Sequence, residues 1–200
     1  MDSSSPNPIV DIANVLSPHS FWNKFLRVLW GIVWAVAFRP TPKVLHSWRR
    51  FLLRLFGAKI GKKTHVYPSV RVWAPWNLDL GDYSTISHHV DCYCVSKIVI
   101  GMHVTVSQYS YLCTASHDFM QPQMPLTTAP ILIEDGAWIT ACVFIGPGVV
   151  VGSGAVIGAC SAVFNSIPAW TVVGGNPCLH IKDRQLQSSA THGSNEDRNS

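Results

Sequence analysis

Residues 78–87 read LDLGDYSTIS, residues 98–107 IVIGMHVTVS and residues 131–140 ILIEDGAWIT. Aligned, they agree column by column, with aliphatic residues in columns one, three and nine and a small one in column seven. Working outward in sixes from Ile60 gives IGKKTH, VYPSVR and VWAPWN, then LGDYST, ISHHVD and CYCVSK, then IGMHVT, VSQYSY and LCTASH. After an interruption come IEDGAW, ITACVF, IGPGVV, VGSGAV, IGACSA and VFNSIP. Of these fifteen first positions fourteen are Ile, Val or Leu, the exception being Cys92. The fifth position is Ser, Thr, Ala or Val in thirteen, with Trp76 and Ile167 departing.

A fifth residue and the next first residue are two apart, so in an extended strand both face the same side. The small and the aliphatic side chain point inward and the residue between them points out. Gly at second positions (Gly61, Gly81, Gly101, Gly146, Gly152, Gly158) suits a corner where a side chain would strain the backbone. Short strands joined at such corners stack into a prism, and each inward aliphatic contributes about 1.5–3 kcal/mol of burial before ordering entropy is set against it. The pattern predicts an all-β solenoid of about five coils over residues 59–178.

The segment before the repeat has a different period. Trp22, Phe25, Leu26, Leu29, Trp30, Val33, Trp34 and Ala37 share one helical face, and Arg39-Pro40-Thr41-Pro42 ends that helix. A second helix is predicted from about Lys43 to Phe56, with Gly57 just past its end. Residues 20–58 thus form a helical, amphipathic N-terminal segment. No acidic residue lies between Asp11 and Asp79, while most of the fifteen Lys and Arg do. Such a basic, Trp-rich segment either packs on the main domain or a neighbouring subunit, or makes peripheral contact with an anionic membrane through residues 20–56. Val28 to Phe38 is apolar all round but too short to cross a bilayer, which needs about 20 residues. No nucleic-acid motif accompanies the charge.

Residues 1–19 and the C-terminal extension 179–200, chiefly its tail from about Gln187, are polar and expected to be mostly disordered. The length suits one domain. The six cysteines form no CxxC pair and the first ten residues form no secretory leader, so the expected setting is reducing and cytoplasmic.

The interruption falls inside YLCTASHDFMQPQMPLTTAPILI, residues 111–133. In the hexad frame Ser116 is an inward fifth position, His117 is the outward residue beside it, and residues 118–130 form an inserted loop able to arch over it. An exposed imidazole with a pKa of about 6.5 suits general-base chemistry at neutral pH. Adjacent Asp118 either orients that ring or caps the loop. His88 and His89 are corner residues, and no second histidine stands five residues from His117, so no metal site is assigned.

These hexads resemble the left-handed parallel β-helix acyltransferases over roughly residues 60–180. SWRRFLLRLFGAKIG, APWNLDLGD, YLCTASHD, GAWITA and GGNPC resemble the colanic-acid-biosynthesis type of acetyltransferase, back to about Leu29. The resemblance implies left-handedness, a homotrimer, acetyl-CoA as donor and a sugar or lipid-linked glycan acceptor. Transfer to the sugar hydroxyl would be direct, with the loop reaching a neighbouring subunit. It implies His117 as the base, with Asp118 beside it in the catalytic set. Trp138, Ala141 and Ala159 would lie against the cofactor, Lys182 and Arg184 would meet its phosphates, and Asp91 would bind the acceptor. The chain departs from the family pattern at Leu179 and Asn165, where Arg and Lys are common. Lipid-linked acceptors would place the enzyme on the inner membrane face. Other readings are a different small sugar or xenobiotic acceptor, zinc hydration on the same solenoid, and a non-catalytic trimeric scaffold.

Overall fold

The computed structural model describes residue 10 and residues 19–187. The expectation of disorder over residues 1–19 falls, apart from these, outside the described residues.

All fifteen first-position residues, from Ile60 to Val163, are buried, most of them completely. They line the inside of a prism with three parallel-stranded faces. The first face stacks Lys59–Ile60, Leu78–Leu80, Ile98–Ile100, Ile131–Ile133 and Val150–Val151. The second stacks His65–Val66, Thr85–Ile86, Thr105–Val106, Trp138–Ile139, Val156–Ile157 and Thr171–Gly174. The third stacks Arg71–Val72, Asp91–Tyr93, Tyr111–Cys113, Phe144–Ile145 and Ala162–Val163. Five coils are complete, and the bridge of Ile167 to Val151 followed by Thr171–Gly174 begins a sixth, one more than the hexad count gives. The five-coil reading omits this last turn because Pro168 and Trp170 break its hexad.

Two details differ from the frame. At the edge between the third and first faces, the third-position residues Ala74, Cys94 and Thr114 are fully buried. The fifth-position residues Trp76 and Ser96 are only half-buried there, and Ser116 is exposed. In the lower coils this edge holds two extra residues, so Asp79 stacks on Lys59 and Val99 on Asp79, twenty apart, whereas Val150 stacks on Leu132, eighteen apart. The second-position glycines Gly61, Gly81, Gly101 and Gly152 answer to stacking rather than backbone conformation. A Cβ on Gly81 would meet the carbonyl carbon of Gly101 in the next coil at 2.5 Å, while positive φ falls on fourth-position residues such as Tyr83 and His103.

Helix α1 spans Phe21–Val33 and continues as a π-helical turn over Trp34–Phe38, and α2 spans His46–Leu55. Helix α2 starts three residues later than predicted, because Pro42 to Leu45 form a turn closed by Leu45 N–H to Pro42 O (3.0 Å). Gly57, at φ +88°, ends it in the left-handed region. Helix α1 lies along the third face, held by the indole N–H of Trp30 to Val72 O (2.7 Å) and of Trp34 to Val70 O (2.8 Å). Phe21–Phe38 has the length and apolar composition of a membrane span, yet these bonds and buried Phe38 tie one side of it to the solenoid. Past the coils, Leu179–Asp183 pairs antiparallel with Thr171–Gly174, and the tail expected to be disordered from about Gln187 falls, beyond that residue, outside the described residues.

Candidate active site

After Thr114 the chain leaves the prism. Ala115–His117 pairs antiparallel with Leu126–Thr128, so the excursion begins at Ala115 rather than at Asp118. This corrects the placement of Ser116. It belongs to a hairpin outside the prism, where an inward position no longer exists. The coil resumes when Ile131 N–H reaches Lys97 O at 3.0 Å.

His117 is exposed on this hairpin, with its Nδ1 2.6 Å from the carbonyl oxygen of Met124. A carbonyl only accepts, so Nδ1 carries the proton and Nε2 keeps a free lone pair. The Asp118 carboxylate accepts from Met120 N–H (3.1 Å) and from the Gln121 amide (2.7 Å), capping the loop turn, and makes no hydrogen bond to the imidazole. Cys113 is buried, its thiol directed at Ala115 O (3.1 Å).

Trp138 projects from the second face, 47% exposed, with its indole N–H on Ser107 Oγ (3.1 Å). Ala141 and Ala159 stack at the edge between the second and third faces, joined by Cys160 N–H to Ala141 O (3.0 Å). Among the described residues the N–H groups of Ala141 and Ala159 donate to no protein acceptor. Together, Trp138 and these two amides form one continuous strip.

The expected basic residues are dispersed. Lys182 is exposed on the strand opposite Val172. Arg184 donates through Nη1 to Gly154 O (2.7 Å) and Gly136 O (3.1 Å), at the edge between the first and second faces. That is the far edge from Ala141 and Ala159, so in this conformation Arg184 braces the coil corners and does not flank the strip. The antiparallel run of the last strand brings Leu179, not Arg184, toward that strip. His88 and His89 are corner residues, His88 bonded to Ser69 Oγ (3.1 Å) and His89 stacked on Tyr109. Among the described residues no group of three or more His, Cys, Asp or Glu is placed to hold a metal ion.

Asp91 lies on the third face between Arg71 below and Tyr111 above. It lines a cavity of about 470 Å³ between that face and α1, with Arg27, Trp34, Arg71, Trp73, Tyr93 and Tyr111. Burial raises the Asp91 carboxyl above its ordinary pKa, opposed by the Arg71 guanidinium. The cavity runs along the face that ends at the His117 hairpin, since Tyr93 is in register with Cys113. Sequence reasoning reached Asp91 but missed its neighbours. Arg71, Asp91 and Tyr111 are outward residues twenty apart, a signal the coil period carries, whereas nothing in the sequence places Arg27 there.

Within one chain the candidate groups therefore stand apart. His117 is at the third–first edge, the Trp138 strip is on the second face and the second–third edge, and Asp91 lies on the third face between them.

No family model matches the chain. It is 47% identical over 156 residues to an Escherichia coli K12 protein named as a colanic acid biosynthesis acetyltransferase, WcaF, covering 78% of this chain and 86% of that one. It is 30% identical over 141 residues to galactoside O-acetyltransferase of the same organism, covering 68% of each. Its fold superposes on a hexapeptide-repeat acetyltransferase from Vibrio cholerae complexed with acetyl-CoA. That match has a TM-score of 0.77 and 27% identity, covering 86% of this chain and 93% of that one. A maltose O-acetyltransferase from Clostridium difficile gives the same TM-score at 28% identity, covering 84% and 90%. With likeness of this extent in both sequence and coil geometry, the chain belongs to the hexapeptide-repeat acetyltransferases, enzymes of left-handed parallel β-helix fold.

Proposed function

We propose that this enzyme transfers an acetyl group from acetyl-CoA to a hydroxyl of an exopolysaccharide or cell-surface glycan precursor. His117 acts as general base, and no acyl-enzyme forms. The observation that carries this reading is the 2.6 Å contact of His117 Nδ1 with Met124 O, which fixes the tautomer and presents a bare Nε2. The sugar oxygen attacks the thioester carbonyl carbon as Nε2 takes its proton. The C–S bond then breaks, and the imidazolium returns the proton to the departing thiolate. A hydroxyl is a poor nucleophile near neutral pH, and a positioned base contributes about 10²- to 10⁴-fold. His117→Ala is expected to lower kcat by about that factor at unchanged melting temperature, measured as thiol release from acetyl-CoA. Full turnover by the variant would remove His117 from the chemistry.

The Trp138–Ala141–Ala159 strip suits the pantetheine arm, whose amides can pair with the two free backbone N–H groups. A homotrimer would bring one chain's hairpin to the strip of the next, supplying in trans what a single chain keeps on separate edges. Lys182 is the basic residue on hand for the CoA phosphates.

Peripheral contact with the inner membrane face forms part of the same reading. Helix α1 turns Phe21, Trp22, Phe25, Val28 and Ile32 outward, with Lys24 exposed on the same helix and Arg39 exposed just past its π-helical end. Apolar bulk beside cations suits an anionic lipid surface. Full-length protein should co-sediment with anionic vesicles, and Trp22→Ser/Phe25→Ser should reduce the bound fraction severalfold. Equal partitioning of both proteins would retire the contact.

A further inference from the structure

The cavity between α1 and the third face holds more positive charge than the protein neutralises. Arg27 lies over the Trp73 ring with its guanidinium carbon 4.1 Å from the centroid. Its Nε is buried and has no hydrogen-bond partner among the described residues. Arg71 lies 5.8 Å from the Trp34 ring centroid. Neither forms an ion pair; those among the described residues are Lys97–Asp79 and His180–Asp183. Asp91 is the cavity's one carboxyl, and burial weakens its hold on negative charge. Burial also pushes up the Tyr111 phenol, which stays a neutral O–H donor. The indole N–H groups of Trp30 and Trp34 are already engaged by the solenoid, so these rings offer a ligand their apolar surfaces.

Such walls suit a sugar ring, which stacks on aromatic surfaces and bonds to a carboxyl and phenols. They do not suit a neutral sugar alone. Filling the cavity with one would desolvate the half-buried Arg27 guanidinium further, and cover the side of exposed Arg71 that faces it, without supplying an anion, which is unfavourable. A guanidinium offers a planar fork that matches carboxylate and phosphate oxygens.

We propose that the acceptor is a glycan bearing an anionic group, a sugar carboxylate or a phosphate, held by Arg27 and Arg71. This rests on the sugar-acceptor reading given above and adds a charge requirement to it. Arg27 and Arg71 are then specificity-determining residues, and Asp91 orients a hydroxyl of the same acceptor.

The test uses the full chain with acetyl-CoA and three acceptor panels: p-nitrophenyl hexuronides, hexose 1-phosphates and neutral p-nitrophenyl hexosides. One anionic panel should exceed the neutral one in kcat/KM by about tenfold or more, and which one does so separates carboxylate from phosphate. Arg27→Gln and Arg71→Gln should each bring that ratio toward one, chiefly through the acceptor KM. Arg27→Lys, which keeps the charge, should retain part of the preference, and melting curves establish that each variant is folded. Equal use of neutral and anionic sugars, or a preference that survives both Gln variants, overturns the charge requirement while leaving the sugar-acceptor reading standing. Failure to acetylate any panel overturns both.

Discussion

Asp91 illustrates a residue whose local cost and proposed use oppose each other. Its carboxyl is desolvated between α1 and the third face, and Arg71 only partly offsets this. The folded chain therefore holds the Asp91 proton more tightly than the unfolded chain does. Ionising the group as pH rises through its raised pKa costs folding free energy, a penalty absent at pH below the ordinary carboxylate range. Asp91→Asn should accordingly raise the melting temperature at pH 7, with the gain shrinking as pH falls. Losing a charged acceptor for a sugar hydroxyl should raise the acceptor KM by about tenfold or more. A lower melting temperature with unchanged KM would make Asp91 structural. His117 shows the complementary case. Its place at the interruption was legible from the repeat, but neither its hairpin setting nor its tautomer was, because both depend on pairing with residues 124–128 across the hairpin.

At the scale of elements, α2 is anchored by a buried cation with no carboxylate partner. Arg49 is fully buried and donates through Nε to Val66 O (2.6 Å) and through Nη1 to Thr41 Oγ1 (2.7 Å) and Pro42 O (2.9 Å). Its Nη2 donates to Lys43 O (2.6 Å). One planar fork thereby joins the turn before α2, the helix itself and the first coil. Arg49→Ala should cost about 3 kcal/mol or more of unfolding free energy in urea, because it strands the buried Val66 carbonyl and takes the donor from the part-buried Pro42 and Lys43 carbonyls. Arg49→Lys should recover little, since a single ammonium cannot reach this spread of acceptors. A loss below about 1 kcal/mol would mean that water replaces the guanidinium freely. By sequence Arg49, Arg50 and Arg54 belong to the basic, Trp-rich segment that either packs on the main domain or meets a membrane. Arg50 and Arg54 too donate to coil carbonyls, at Thr64 and Ile60, so part of the apparent charge for partners serves internal docking.

At the scale of the whole molecule, the placement of His117 and Trp138 on different parts of the prism makes the proposed trimer testable without a structure of it. Chains carrying His117→Ala and Trp138→Ala should each be nearly inactive alone. In co-expressed, randomly mixed trimers, about a quarter of the inter-chain sites pair an intact His117 with an intact Trp138. Activity near that fraction of the unmodified enzyme is expected. Mixtures no better than their components would place both groups in one chain's site and remove the need for a neighbour.

The coil itself was determined by the sequence. An i, i+2 pair of small and aliphatic residues repeated every six fixes which side chains point inward, except at the third–first edge of the lower coils, where third positions take over. Each coil buries the row beneath it whatever the partners beyond. That information is local and redundant, so single exceptions such as Cys92 and Ile167 do not disturb it. The existence of α1 was legible for the same reason, as a period of 3.6 residues, but of its predicted face only Trp30, Val33, Trp34 and Ala37 pack inward, while Trp22, Phe25, Leu26 and Leu29 stay exposed. The rest rests on contacts between residues far apart in the chain: the departure at Ala115, the bracing of coil corners by Arg184, and the meeting of Arg27 with Trp73 over Asp91. No periodicity encodes these contacts, because each is decided by which surfaces close packing brings together. The repeat therefore specified the scaffold, and only the tertiary structure decided which charges stand uncompensated in a cavity on its side.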